Sequence, residues 1–197
     1  MSKKTTDEKK EIMRRDMRHR RKETDPSWIL KASERIQHAI MERDEFTKAQ
    51  SVGCYFALPY EVQTRLIVKT CWDQGKRVCV PAFNETQNRY ELAWLSSLQE
   101  TKSRRSNIRE PLVINRAGFI DTDLIMVPAL AYDPQGGRLG HGGGHYDHLL
   151  GAWSGIKVGV CFHFQIFEQV PMDTHDIPVD IVITEQKAYT KNGFINF

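Results

Sequence analysis

Short apolar, β-rich runs alternate with helical periodicity along most of this 197-residue chain, and this alternation restricts its fold more than any other feature. The runs predicted as strands are 51–58, 76–80, 90–95, 123–130, 156–162 and 180–184. Runs that are apolar on both faces are typical of parallel strands covered by helices on both sides. We therefore predict an α/β fold: a single three-layer α/β/α domain with a mostly parallel, Rossmann-like sheet, spanning residues 1–197.

The spacing of apolar residues predicts the helices that cover this sheet. They are expected at residues 7–23, from Pro26 onward, at 64–74 and at 146–153. Thr24 or Asp25 can cap the helix that begins at Pro26, because proline suits a first helical turn.

Positive charge is concentrated at the N-terminus. Residues 1–22 contain ten Lys/Arg and four Asp/Glu, which gives this segment +6 in a chain whose net charge is +3. Lys10 and Arg14 are four positions apart, so they share one face of the basic N-terminal helix predicted within residues 1–23. Such a face suits phosphate, nucleic acid or a polyglutamate tail, and a solvated basic face is the structural alternative.

Cysteine usage and hydropathy indicate the compartment. The four cysteines form no CxxC pair and have no metal-type spacing with histidine, so we interpret them as structural thiols in a reducing environment. No apolar run approaches the ~18 residues of a membrane span, and the charged start lacks a signal-peptide pattern. We expect a cytoplasmic protein without a membrane partner.

A glycine-rich loop, residues 133–144, follows a predicted strand and precedes a predicted helix. Six glycines fall within nine of its positions, so its backbone can approach a ligand and direct several N–H groups at it. Arg138 adds a fork-shaped cation suited to phosphate oxygens, and Asp147 could hold Mg²⁺ beside them. The loop is neither a P-loop nor a dinucleotide fingerprint, since His145 occupies the third glycine position counted from Gly140. A flexible surface loop is the alternative.

The loop sequence GGRLGHGGGHYD resembles the signature of the 5-formyltetrahydrofolate cyclo-ligase family, roughly G-x-RLG-x-G-x-G-aromatic-YD. The resemblance covers nearly the whole chain through an ordered set of short matches: Lys10 and Arg14, Glu61 and Thr64, the run 123–128, and Ile177 to Asp180. The chain departs from the family at His145, where an aromatic residue is usual, and at His141 and Gly143, which are often basic in relatives.

This resemblance implies ATP- and Mg²⁺-dependent conversion of 5-formyltetrahydrofolate to 5,10-methenyltetrahydrofolate, a step of folate one-carbon metabolism. It implies Arg138 as the catalytic residue that stabilises charge on the transferred phosphoryl group, with a structural salt bridge as the alternative. The implied ATP-binding residues are Lys10, Arg14, Gly137, Arg138, Leu139, Gly140, His141, Gly142, Gly143, Gly144, His145 and Tyr146.

The resemblance also implies a folate site and a metal site. The implied substrate-binding residues are Phe56, Glu61, His141 and His145. Glu61 is expected to accept hydrogen bonds from the pterin ring and Phe56 to form one wall, although core packing explains Phe56 equally well. Asp147 and Asp180 are the implied metal ligands, with a helix cap and an ordinary loop residue as their respective alternatives.

Two other functions remain open from the sequence. The departure at His145 suggests a family member that binds folate or nucleotide without turnover, and the basic helix suggests nucleic-acid binding. That helix has no interleaved aromatic residues and no nucleic-acid motif, so small-molecule substrates are favoured. A zinc site at the loop histidines matches no standard ligand spacing. A monomer is expected.

Overall fold

The structure is a computed structural model that describes residues 5–103, 109–112, 115–117, 122–151 and 153–197. The helices in these ranges are α1 Thr6–Glu23, α2 Pro26–Met41, α3 Asp44–Lys48, α4 Arg65–Asp73 and α5 His145–Gly151. A short 3-10 turn lies at His163–Gln165. The first four residues of the predicted basic segment are outside the described part of the chain.

The strands follow the same chain order. They are β1 Ser51–Gly53, β2 Arg77–Asn84, β3 Arg89–Trp94, β4 Thr101–Ser103, β5 Arg109–Pro111, β6 Leu124–Pro128, β7 Ala131–Tyr132, β8 Arg138–Leu139, β9 Ile156–Val160, β10 Ile181–Ile183, β11 Lys187–Thr190 and β12 Gly193–Asn196.

Eight of these strands form one sheet in the order β12-β11-β10-β9-β6-β1-β2-β3. The five central strands, β10 to β2, pair in parallel, whereas β3 at one edge and β11 and β12 at the other pair antiparallel. This confirms the predicted α/β fold with a mostly parallel sheet. Two short antiparallel pairs, β4-β5 and β7-β8, lie outside the main sheet.

Alternate residues of the central strands point to opposite faces, and each face has its own core. Met126 belongs to the cluster that α2 and α4 cover with Ile36 and Ile67. Its neighbour Val127 belongs to the other cluster, which α5 covers with Leu149 and Leu150. Helices therefore pack on both faces, as the apolar character of the strands predicted.

The first two helices begin at residues that satisfy their exposed N–H groups. Thr5 and Glu8 form a reciprocal capping box at the start of α1. The Asp25 carboxylate accepts a hydrogen bond from the Trp28 N–H at 2.9 Å, and Pro26 occupies the first turn of α2. Of the two caps considered from the sequence, Asp25 is the one observed.

Several predicted strand boundaries were wrong for identifiable reasons. The strand predicted to end at Pro81 continues to Asn84, because β1 pairs with β2 only as far as Cys79 and β3 supports the remainder. The strand predicted for 51–58 ends at Gly53, and the chain then turns so that the Thr64 hydroxyl reaches the Tyr55 carbonyl at 2.7 Å. The predicted irregular loop 133–144 contains β8, which pairs with β7.

Within the described ranges, no helix combines the length and the apolar character that crossing a bilayer requires. Helix α1 is long enough, with 18 residues, but it is rich in arginine and lysine.

Candidate active site

The glycine-rich loop begins beyond the carboxyl end of the central strand β6 and leads into α5, while α1 lies across it. The Arg14 Nε–H donates to the Gly140 carbonyl at 3.1 Å, and Arg18 Nη2 donates to the His141 carbonyl at 3.0 Å. Gly142 has a φ of +103°, and a side chain there would point toward the Arg14 guanidinium. The structure therefore brings Arg14 to the loop on which the sequence placed the ATP site.

The start of the loop is fixed by a buried carboxylate. Asp133 accepts hydrogen bonds from the N–H groups of Gly137 at 2.7 Å, Gln135 at 3.0 Å and Val170 at 2.9 Å. Gly136 has a φ of +88° and lies so close to the Val179 carbonyl that a Cβ would come within 2.2 Å of its oxygen. This part of the loop is thus a packed element, unlike the flexible surface loop that composition alone allowed.

Arg138 is buried and paired with Asp147. Its side chain is 3% exposed, and Nη2 lies 2.5 Å from Asp147 Oδ1, which also accepts from the Ile177 N–H at 3.2 Å. The Arg138 Nε–H has no hydrogen-bond partner among the described residues. A buried donor without a partner is costly, so this guanidinium retains hydrogen-bonding capacity beyond the salt bridge.

Lys10 is held by two aspartates instead of by the loop. Its Nζ lies 2.5 Å from Asp173 Oδ2 and 2.5 Å from Asp176 Oδ2. Burial lowers the pKa of Lys10, but the hydrogen bonds and charges of both carboxylates outweigh it and raise the pKa above its usual value. Lys10 and Arg14 share one face of α1, as predicted, but they contact different segments.

Glu61 is paired with Arg21, a residue of the last turn of α1 that is 1% exposed. Arg21 Nη2 lies 2.8 Å from Glu61 Oε1, and the Leu58 N–H donates to Oε2 at 3.0 Å. His141 Nε2 lies 3.8 Å from Oε1. Burial raises the pKa of Glu61, but His141, Arg21 and the Leu58 N–H together lower it below its ordinary value.

The aromatic candidates occupy different surroundings. Phe56 is half-buried and packs against the core that α2 and α4 cover. His145 is exposed, and its ring lies edge-on to Tyr90 with ring centroids 4.9 Å apart. Tyr146 lies near Arg138, whose guanidinium carbon is 5.9 Å from the ring centroid, and burial raises the Tyr146 pKa.

The two predicted metal ligands each contact a cation of the chain. Asp180 Oδ2 accepts from the Lys157 N–H at 2.9 Å and lies 3.1 Å from Lys157 Nζ, at the start of β10. No group of three or more His, Cys, Asp or Glu residues suited to a metal occurs within the described ranges. Each aspartate keeps one carboxylate oxygen, Oδ2 of Asp147 and Oδ1 of Asp180, that accepts no hydrogen bond from the described chain, and Mg²⁺ commonly uses one carboxylate plus phosphate oxygens. Asp147 fits such a site better because it lies beside the glycine-rich loop and the buried Arg138.

Four residues with clear roles at this site were missed from the sequence: Arg21, Asp133, Asp173 and Asp176. Arg21 carried a readable signal, since Lys10, Arg14, Met17 and Arg21 recur at helical spacing on the inner face of α1. Asp173 and Asp176 carried none, because Lys10 meets them across 163 and 166 positions of sequence. Asp133 had a local signal, since it accepts from the N–H groups of Gln135 and Gly137, two and four positions later.

A packed glycine-rich loop, a buried arginine and a basic helix beyond the carboxyl end of a parallel strand are the features of an α/β protein with a site suited to an anionic ligand. The chain belongs to the 5-formyltetrahydrofolate cyclo-ligase family, whose model matches residues 6–185. Membership confirms the resemblance noted from the sequence and the predicted enzyme class, a ligase of folate one-carbon metabolism.

Individual relatives agree with this assignment. The chain is 33% identical over 155 residues to 5-formyltetrahydrofolate cyclo-ligase of Haemophilus influenzae, covering 75% of this chain and 82% of that one. It is 31% identical to the solved 5,10-methenyltetrahydrofolate synthetase of Aquifex aeolicus, with a TM-score of 0.83 and 92% of both chains covered. The synthetase of Mycoplasma pneumoniae, at 16% identity, a TM-score of 0.73 and 90% and 99% coverage, shares the fold.

Proposed function

We propose that this chain catalyses the ATP- and Mg²⁺-dependent cyclisation of 5-formyltetrahydrofolate to 5,10-methenyltetrahydrofolate, with release of ADP and phosphate. The observation that carries the proposal is the buried Arg138 at the packed start of the glycine-rich loop, with Asp147 beside it. A fixed cation next to a carboxylate and a loop of backbone donors suits the charge of a transferring phosphoryl group.

ATP binds, in this proposal, along the glycine-rich loop and the facing side of α1. Backbone N–H groups of residues 140–146 and the guanidinium groups of Arg138 and Arg14 supply donors for the phosphates, whereas the Gly137 N–H already donates to Asp133. Lys10 contributes to ATP binding if a phosphate oxygen replaces one of its two carboxylate partners. Its raised pKa keeps the Lys10 ammonium charged for this contact. Arg14 is only 18% exposed, so its position relative to the loop is already restricted.

Magnesium is proposed to lie beside Asp147, with Asp180 as the second candidate. The bound ion neutralises charge on the phosphate chain. Asp147 is held in place by Arg138 and by the Ile177 N–H, so its remaining oxygen has a defined direction. Asp180 is 36% exposed, against 23% for Asp147, and its partner Lys157 does not belong to the glycine-rich loop, so the structure supports it less strongly.

The folate ring is proposed to bind at Glu61, with Phe56, His141 and His145 around it. The ionised Glu61 carboxylate accepts hydrogen bonds from ring N–H groups. His141 belongs to the glycine-rich loop, and its half-exposed side chain lies near Glu61. This contact brings the folate region and the ATP region to the same side of the molecule.

The reaction requires positioning more than covalent chemistry by the protein. The formyl oxygen attacks the γ-phosphorus and ADP leaves, which gives an imidate phosphate. N10 then attacks the formyl carbon, the C–O bond to phosphate breaks, and loss of the N10 proton completes the methenyl bridge. Arg138 stabilises the negative charge that moves onto ADP in the first step and onto inorganic phosphate in the second.

The experiment follows the methenyl chromophore when purified protein is mixed with 5-formyltetrahydrofolate, ATP and Mg²⁺. Arg138→Ala is expected to lower kcat by roughly 10²–10³-fold, the usual effect of removing one preorganised donor. Arg15→Ala, on the exposed side of α1, is the control with the same charge change. Omitting ATP or Mg²⁺ should abolish product. Folded protein that binds both ligands but forms no product would instead support the non-catalytic alternative.

We also propose a cytoplasmic monomer that acts on small molecules and not on nucleic acid. Four basic residues of α1 contact groups of this same protein: Lys10, Arg14, Arg18 and Arg21. A nucleic-acid surface would need these cations directed outward. Sedimentation at micromolar concentration should give the 22.8 kDa mass of one chain, and a larger mass would contradict the monomer.

A further inference from the structure

Arg21 is the most deeply buried charge in the described part of α1, and the hydrogen bonds that its side chain makes to described residues all go to the 58–61 turn. Its Nε–H donates to the Tyr60 carbonyl at 3.2 Å, and Nη2 donates to Glu61 at 2.8 Å. Its guanidinium also lies over the Tyr60 ring, 4.9 Å from the centroid. Its Nη1 is buried without a hydrogen-bond partner among the described residues, so the contacts with the turn offset only part of the cost of desolvation. An arginine kept at this cost and directed at one carboxylate indicates a specific role.

The contacts of Glu61 leave part of its hydrogen-bonding capacity available. Arg21 donates to Oε1 and the Leu58 N–H donates to Oε2. An ionised carboxylate has about four lone-pair positions, two on each oxygen, so each oxygen retains about one. The side chain is 10% exposed. A ligand with two adjacent N–H donors can therefore meet both oxygens at once.

The orientation of Glu61 depends on groups from three segments. Arg21 approaches from α1, Leu58 from the preceding turn, and His141 from the glycine-rich loop at 3.8 Å. Tyr55 and Tyr146 are the other titratable groups whose charge interacts with Glu61, and both have raised pKa values, so they are neutral near pH 7. Arg21 is thus the one permanent cation in direct contact with the carboxylate within the described residues.

We infer that Arg21 is a positioning residue for folate recognition: it holds the Glu61 carboxylate in one orientation, so that both oxygens accept from paired N–H donors of the pteridine ring. This inference rests on the proposed function. It assigns to Arg21 an effect on folate affinity that acts through Glu61 and leaves ATP affinity nearly unchanged, because the ATP contacts proposed above involve other residues of α1.

The test compares four variants. Arg21→Met removes the cation at similar length, and Arg21→Lys keeps the charge but loses the fork that reaches two acceptors. Glu61→Gln removes the charge of the acceptor. Arg15→Met is the matched control, because Arg15 lies on the same helix, is 74% exposed and, among the described residues, forms an ion pair only with the neighbouring Asp16.

Affinity for 5-formyltetrahydrofolate is measured by calorimetry without ATP, and KM for both substrates is measured between about pH 6 and pH 8. We expect Arg21→Met to raise the folate Kd by roughly tenfold or more, which corresponds to about one charged hydrogen bond. The loss of folate affinity in Arg21→Met should grow toward lower pH. Without Arg21 the Glu61 pKa rises, so more of the carboxyl is protonated and cannot accept from both N–H donors. Arg21→Lys should lie between, Arg15→Met should match the wild type, and KM for ATP should change less than about threefold.

The double variant Arg21→Met/Glu61→Gln keeps the test decisive if Arg21→Met alone does not fold, because it leaves no buried carboxylate unpaired. If Arg21 acts through Glu61, the double variant and Glu61→Gln bind folate equally. A further loss in the double variant would overturn the inference. So would a folded Arg21→Met with unchanged folate affinity and pH dependence.

The outcomes also separate this inference from the proposed function. Wild-type protein that does not bind 5-formyltetrahydrofolate contradicts both. Wild-type protein that binds it, loses affinity in Glu61→Gln and keeps affinity in Arg21→Met contradicts the role of Arg21 alone.

Discussion

Charged residues at the candidate site are arranged as ion pairs in which the cation is deeply buried, and two of the three cations find their partners in distant segments. The pairs within the described residues are Lys10 with Asp173 and Asp176, Arg21 with Glu61, and Arg138 with Asp147. Removing one partner of such a pair typically costs about 3–5 kcal/mol, because the other charge is left buried. Each pair therefore maintains the geometry of the site before any ligand arrives.

The Lys10 pair predicts a defined pH dependence of stability. Burial raises the pKa of Asp176, but the hydrogen bonds from Lys10 and from the Asp173 N–H, together with the charge of Lys10, outweigh it, so the folded-state pKa is lowered. The stabilisation that Asp176 provides is complete above its unfolded-state pKa of about 4, and it is lost as the pH falls through its folded-state pKa. The pKa of Lys10 is raised in the folded state, so its interactions stabilise the fold below about pH 10. This stabilisation is lost as the pH rises through the folded-state pKa of Lys10.

Wild-type protein should therefore exceed Lys10→Met in free energy of unfolding by a constant amount from about pH 5 to pH 9, and by less below about pH 4. Urea unfolding at several pH values measures this difference, with the exposed Lys9→Met as the control. A difference that stays constant down to about pH 2 would contradict the assignment of the pair.

Asp133 should be the residue that most stabilises the glycine-rich loop. In Asp133→Ala the N–H groups of Gly137, Gln135 and Val170 lose their acceptor. We expect the free energy of unfolding to fall by at least about 2 kcal/mol, since buried donors without partners cost ~1–3 kcal/mol each. Asp73→Ala, at an exposed position of α4, should change it little. Equal effects of the two substitutions in chemical denaturation would show that the loop does not depend on Asp133.

At the scale of elements, α1 is the part that connects the two ligand regions. Its first half contacts the 173–176 segment, its middle contacts the glycine-rich loop, and its last turn contacts Glu61. The helix has little apolar surface, so polar contacts fix its position to an unusual degree.

Two arginines on α1, Arg14 and Arg18, should differ in how much their removal raises KM for ATP. Arg14 is 18% exposed and donates to Gly140, whereas Arg18 is 41% exposed and donates to the adjacent His141 carbonyl. We expect Arg14→Ala to raise KM for ATP by roughly tenfold and Arg18→Ala by less than about threefold, because solvent screens the exposed contact. Steady-state kinetics at saturating folate measure both. A larger effect for Arg18 than for Arg14 would contradict this order.

How far the sequence predicts the site depends on whether a feature is local. The position of the glycine-rich loop, a cap at Thr24 or Asp25 and the shared face of Lys10 and Arg14 follow from short-range patterns, and the structure has all three, with Asp25 as the cap. The partners of Lys10 lie more than 160 positions away, where no local pattern identifies them. The roles of the individual ligand-binding residues stay predictions until ligands are measured.

At the scale of the whole molecule, the sheet brings these segments together. The central parallel strands were predicted because they are continuously apolar, as parallel strands buried on both faces require. The strand β12 was not predicted, because its side chains are exposed and show no alternation, and β11 pairs with it at the sheet edge. The edge strand β3 differs, because half of it is buried and the sequence predicted it at 90–95, within one residue of the observed bounds.

The single domain predicted for residues 1–197 leads to a test of cooperativity. The tryptophans report different regions, with Trp28 on α2, Trp72 on α4, Trp94 on β3 and Trp153 next to the α5 core. Tryptophan fluorescence and far-ultraviolet circular dichroism should then give coincident urea transitions. Separate midpoints for the two probes would show that the chain contains independently unfolding parts.

The central claim is that ATP drives the cyclisation through transfer of a phosphoryl group to the formyl oxygen. The most direct measurement uses 5-formyltetrahydrofolate labelled with oxygen-18 in the formyl group and analyses the released phosphate by mass spectrometry. The proposed reaction predicts one labelled oxygen in each phosphate formed. Unlabelled phosphate, with the label recovered in water or retained in folate, would contradict it.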